Sequence, residues 1–261
     1  MKELGLQLYT IRDYMKTEKD INESFAKLAE IGYTEAQTAG LPAVPVDIFA
    51  RAAKKNGIKI VGTHYDYDKI INNPGETMQV HDMWGTKNIG IGGMPSGPRK
   101  SYDELMPFIE QFNKAAENYA KQGYKLTYHN HSFEFVRTNG NKTIMDYLYE
   151  ELDPKNVSFV LDTCWVANAG ADVRYWMEKL AGRIDILHLK DVKVLRNEET
   201  KKYYNTMAEI GNGNIWWDGV METAKKIGVK NYIVEQDAEF IDGDPFKSIA
   251  VSAEYLKKYM D

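Results

Sequence analysis

Eight short strand-like runs alternate with helical patterns along the whole chain, and this repetition constrains the fold more than any other feature. The runs begin near Leu4 (LGLQLYT), Tyr33 (YTEAQT), Ile58 (IKIVGTH), Lys87 (KNIGIGG), Tyr124 (YKLTYHNH), Val157 (VSFVLD), Ile184 (IDILHLKD) and Asn231 (NYIVEQD). Between the first two, Ile21, Ser24, Phe25, Leu28 and Ile31 recur at helical spacing, and Gly32 supplies a C-terminal stop. The same punctuation returns at Gly57, Gly123, Gly182 and Gly228, each just before a strand. Units of roughly 33 residues match a strand–helix–strand repeat, and eight of them close into a barrel of about 250 residues. The expected fold is therefore α/β, a (β/α)8 TIM barrel forming a single domain over residues 1–261. A doubly wound open sheet is the competing architecture; the count of eight favours the barrel. No Pro/Ser/Gly-rich linker and no low-complexity tract divides the chain. Two connections, Gly92–Pro98 and the polar segment Val192–Gly213, come after strand C-terminal ends and are placed to cover a ligand.

A net charge of -5 disfavours a surface built for polyanions, so no nucleic-acid partner is expected. One cysteine, Cys164, leaves no intrachain disulfide and suits a reducing compartment. The start, MKELGLQLYT, has no signal-peptide apolar region before Arg12, and no run approaches the roughly 20 apolar residues of a membrane span. The expectation is a cytoplasmic protein with no membrane partner. Aromatic residues such as Tyr102, Tyr203 and Tyr204 are candidates for an interface in a homo-oligomer.

Four of the runs deliver an acid or an imidazole near their C-terminal ends: His129, Asp162, His188 and Glu235. A parallel barrel brings these ends together at one mouth, where His and carboxylate groups can share a divalent cation. Taken singly each has a plainer reading: Asp162 as a helix or turn cap, His188 as a packed core histidine. Four separate strands presenting such groups at equivalent positions favour the metal. Two imidazoles and two carboxylates suit Mn2+, Zn2+, Co2+ or Fe2+ better than Mg2+. His129 and His131, two residues apart, share a strand face and point into the lumen, one as ligand and one as base. His64, Glu35, Trp165, Lys190 and Glu134 are candidate substrate contacts, with Gln7 and Tyr9 on the first strand. For Glu35, Lys190 and Asp191, ion pairing at the barrel rim is the competing role. Trp216 and Trp217 are expected in the core at the start of a helix.

LGLQLYTIRD, YHNHSFEF from Tyr128, LDTCW from Leu161, HLKD from His188, IGNGNIWWDGV from Ile210 and IVEQD from Ile233 together resemble the sugar phosphate isomerase/epimerase family. These are the xylose isomerase-like TIM barrels, and the likeness covers essentially the whole chain. The resemblance implies one divalent metal held by Glu, Asp, His and Glu on four strands, the last three matching Asp162, His188 and Glu235. At the first position this chain departs from the pattern, placing His129 where relatives carry Glu in Glu-x-His. The His of that motif, a base in dehydratase and deglycosidase relatives, matches His131, and His64 matches a substrate or outer residue. Relatives include ketose epimerases, inosose dehydratases, 3-dehydroshikimate dehydratases and C-glycoside deglycosidases.

The chemistry expected is proton transfer beside the carbonyl of a keto-sugar or related polyol ketone, by an isomerase or epimerase. The metal would polarise the carbonyl and Glu235 or His131 would remove the proton. A dehydratase or lyase shares the same first step and expels a β-substituent instead. Abasic-site DNA cleavage also occurs on this fold, in relatives with a trinuclear zinc cluster and many histidine ligands; five histidines in all and the acidic balance count against it. A non-catalytic sugar-binding barrel is the remaining alternative.

Overall fold

A computed structural model describes residues 3–42 and 44–260. Eight parallel strands form a closed barrel: β1 Leu4–Gln7, β2 Glu35–Thr38, β3 Lys59–His64, β4 Asn88–Ile91, β5 Lys125–His129, β6 Val157–Asp162, β7 Ile184–Leu189 and β8 Asn231–Val234. Each strand pairs with its sequence neighbours, and β1 closes the cylinder by pairing with β8, Leu4 opposite Tyr232 and Leu6 opposite Val234. All eight runs expected to be strands are strands. Among the described residues, no helix is long and apolar enough to cross a membrane.

Part of the barrel interior beneath the mouth is apolar. Val160, Ile186 and Ile233 lie two residues before Asp162, His188 and Glu235, hence on the same strand faces one layer lower. With Val61 they form a small buried cluster separate from the main core between strands and helices. Gly5 makes this plug possible: a Cβ there would sit 2.2 Å from Ile233 Cδ1.

The opposite end of the barrel carries a repeated pattern of its own. Gly57-Ile58-Lys59, Gly85-Thr86-Lys87, Gly123-Tyr124-Lys125 and Gly228-Val229-Lys230 each place a left-handed glycine, then a lysine, between a helix end and a strand start. Glycine stops the helix, and three of the lysines reach carboxylates: Lys59 Nζ lies 3.9 Å from Glu35 and Lys125 Nζ 3.1 Å from Asp185, and Lys87 pairs with Asp82. The four lysines line a cavity of about 600 Å3 at that end, away from the metal-competent groups.

The segment Val192–Gly213 is more ordered than a polar loop. Asp191–Arg196 pairs antiparallel with Tyr203–Ala208, and Val192, Val194, Tyr203, Tyr204 and Thr206 are residue types that suit such a ribbon. Asp191 ties down both ends of this excursion. Its carboxylate accepts from the backbone N–H of Val192 (2.8 Å), Gly211 (3.0 Å) and Gly213 (3.1 Å), and from Trp217 Nε1 (2.7 Å). It is thus a loop organiser rather than a rim ion pair. The two tryptophans divide: Trp217 is buried, but Trp216 is 60% exposed with the Arg174 guanidinium 5.0 Å from its ring. Tyr203 and Tyr204 are exposed, whereas Tyr102 is half-buried against Tyr147.

His81, in helix Pro74–Trp84, is buried with both ring nitrogens bonded, Nδ1 to the Thr77 carbonyl at 2.6 Å and Nε2 to Thr63 Oγ1 at 2.8 Å. Burial pushes its pKa down from 6.5 to about 4, the Thr77 carbonyl and Asp82 only partly offsetting this. The unfolded chain therefore takes up this proton first as pH falls. Its contribution to stability is intact above about pH 6.5 and lost on the way to pH 4, roughly 3 kcal/mol in all. We expect stability to fall less steeply across that window in His81→Gln than in the parent, measured by urea unfolding. Equal slopes would remove His81 as the cause.

Candidate metal centre

Each strand end contributes one group. His129 ends β5, Asp162 ends β6 and His188 is the penultimate residue of β7. Glu235 comes directly after β8, still tied to the sheet by its N–H donated to the Leu189 carbonyl at 3.1 Å. One ligand atom from each of the four lies within 4.8 Å of the others, all buried. His129 Nε2 is 3.5 Å from Asp162 Oδ2, and His188 Nδ1 is 3.7 Å from that oxygen and 3.1 Å from Glu235 Oε2.

These residues could hold a metal ion, and two orphaned atoms argue that they fit one. His129 Nε2 and Asp162 Oδ2 are buried with no hydrogen-bond partner, a state buried polar atoms seldom occupy. A shared cation satisfies both. Asp162 divides its oxygens: Oδ1 caps helix Thr163–Asn168 by accepting from the Trp165 N–H at 2.9 Å, while Oδ2 faces the histidines. The cap and ligand readings of this residue are thus compatible.

The local field favours positive charge. Burial alone would raise Asp162, but Lys190, His129 and His188 bring its pKa down to about 2. Burial likewise opposes ionisation of Glu235, and Lys190 and His188 overcome it, holding that pKa well below the carboxylate range. For His188 burial is again outweighed, here by Glu235 and Asp162, which raise it to about 9. Lys190 is buried yet charged: its Nζ is 2.5 Å from Asp237 Oδ2 and 3.3 Å from Glu235 Oε2.

Above these groups opens a cavity of about 320 Å3 whose lining includes His64, His131, Trp165, Lys190, Glu235 and Asp237. His131 lies just beyond the end of β5, its ring 4.8 Å from that of His129 and 5.4 Å from Trp165. Burial, then His129, lowers its pKa to about 3, leaving a neutral imidazole near pH 7. Glu134 does not face the cavity. It is fully buried, accepting from the His131 N–H and the Tyr128 hydroxyl at 2.7 Å each, and so fixes the backbone of His131. Burial raises its pKa to about 8.

Glu35 lies apart from this group. It opens β2 at the far end of the barrel, 3.9 Å from Lys59, which opens β3. Gln37, two residues on and on the same strand face, is the residue that reaches the site. Its Oε1 accepts from His188 Nε2 at 2.5 Å and from Gln7 Nε2 at 3.1 Å. If Nε2 keeps its proton for Gln37, a cation displacing the other ring proton would meet the Nδ1 lone pair on the side that faces Asp162 and Glu235. Sequence reasoning drawn to charge misses Gln37 and Asp237, although alternation from Glu35 and Glu235 points to both. Groups that orient a metal-ligating histidine typically affect affinity 10–100-fold, so Gln37→Leu is expected to weaken divalent-cation binding by roughly that factor. Titration calorimetry with Mn2+ checks this; unchanged affinity would reduce Gln37 to packing.

Residues 25–259 match the xylose isomerase-like TIM barrel family. An inosose dehydratase of Geobacillus thermodenitrificans is 27% identical over 160 residues, 58% of this chain and 53% of that protein. The match thus spans about half the length of that relative. An inosose dehydratase of Lactiplantibacillus plantarum is 25% identical over 76% of this chain and 68% of its own. Among solved structures, a sugar phosphate isomerase/epimerase of Parabacteroides distasonis superposes with TM-score 0.81 over 100% of both chains at 23% identity, a likeness of fold.

Proposed function

For a chain that belongs to the xylose isomerase-like TIM barrel family, we propose a divalent-metal-dependent enzyme that removes the proton beside the carbonyl of a keto-carbohydrate. The observation that carries this is the convergence of His129, Asp162, His188 and Glu235 beneath a cavity lined by polar groups. A divalent ion in that site, Mn2+, Zn2+, Co2+ or Fe2+ rather than Mg2+, would supply Lewis acidity at the carbonyl. Glu235 or His131 takes the α-proton. Lys190 stands ready to donate a hydrogen bond to the oxygen on which charge develops. Trp165 walls the cavity beside His131 and, with His64, shapes the space left for substrate.

The enolate has two fates. Expulsion of a β-hydroxyl makes the enzyme a dehydratase, which the two inosose dehydratase relatives favour. Return of the proton to the other face or the neighbouring carbon makes it an epimerase or isomerase. The presence of two proton carriers, His131 and Glu235, on one cavity supports that second reading. Incubating the Mn2+-loaded protein in D2O with keto-inositols and free ketoses separates them. An unsaturated ketone signals elimination, and deuterium uptake without water loss signals isomerisation. No exchange in any ketonic carbohydrate would count against both and favour a sugar-binding barrel without catalysis.

A further inference from the structure

A neighbour to the metal cavity lies across His64. A second cavity of about 630 Å3 shares Gly40, His64 and Gly92 with it and extends outward between the β2 and β3 connections. Its character is different. Leu41, Val44, Val46, Phe49, Tyr65 and Trp84 wall it, and its charged lining residues, Asp66 and Lys69, are both exposed. The wall is braced: Trp84 Nε1 donates to the Val46 carbonyl at 2.8 Å, and the Tyr65 ring meets Trp84 edge-on at 6.2 Å. A bare polyol ketone has hydroxyls on every side and gains less from such a surface than an apolar group does. A cavity of this size, lined by apolar and aromatic groups and adjoining a polar reaction site, is suited to a substituent attached to the reacting sugar.

We infer that this chamber is a subsite for an apolar substituent, so that the substrate is a keto-sugar carrying an aryl or alkyl group, as in a glycoside. The inference rests on the proposed keto-carbohydrate reading for the sugar half of the ligand. Burying a ring against this wall is worth about tenfold or more in affinity.

The test uses ligands that need no turnover: phenyl and methyl glucosides, titrated calorimetrically into the metal-loaded protein. We expect the phenyl glycoside to bind at least about tenfold more tightly. Val44→Trp, which fills the chamber, and Leu41→Asp, which puts charge in it, should each bring that ratio close to one. Metal titration and the thermal midpoint check that each variant is folded. Equal affinities in the parent, absence of binding by either glycoside, or a preference that survives both substitutions would overturn the subsite. An intact phenyl preference in a protein that exchanges no proton in any ketone would instead overturn the catalytic reading and leave the subsite standing.

Discussion

Asp162→Asn is expected to lower divalent-cation affinity by roughly a hundredfold or more, because even groups behind the ligands typically carry 10–100-fold. The substitution is chosen for what it keeps. The remaining amide oxygen can still accept from the Trp165 N–H, so the helix that starts at Thr163 stays capped. What disappears is the negative charge on the atom facing His129 and His188. Elemental analysis after dialysis against Mn2+, with a binding titration, reads the effect. Full metal content at undiminished affinity would mean that the four groups do not share an ion.

Glu235→Gln should abolish turnover, by about 10²–10⁴-fold for loss of a general base and more if the cation is also lost. Its partner experiment is His131→Asn. His131 stands outside the ligand set but on the same cavity, so this variant should keep its metal and lose proton exchange. The pair separates two roles that activity alone confuses. Full exchange activity in both variants would place the base elsewhere, and metal loss in His131→Asn would make it a ligand.

Strand ends are legible in the sequence because buried parallel strands are short apolar runs, and a charged or imidazole group at the end of one stands out. Asp162 and His188 are found this way. Glu35 shows where the method slips: charge draws attention to the first residue of β2, whereas height along the strand decides which end a side chain serves. Gln37, uncharged, escapes notice although it touches His188. Glu134 stands out for its charge, but burial and two hydrogen bonds turn it inward to hold His131. The ribbon inside Val192–Gly213 is hard to read because only one of its strands, DVKVLR, alternates; in YYNTMA the two tyrosines are adjacent and most side chains of both strands are left at least partly exposed. Trp216 and Trp217 are indistinguishable in sequence, and only the turn at the helix start separates the exposed ring from the buried one.

Val160, Ile186 and Ile233 pack as a stopper below His188, and the cavity above it is the side from which a ligand would arrive. Order of arrival is then imposed by geometry. A cation would have to enter first, and a sugar in the vestibule above it would then block its way out. Chelators should therefore strip the ion more slowly from protein saturated with a sugar ligand than from protein alone.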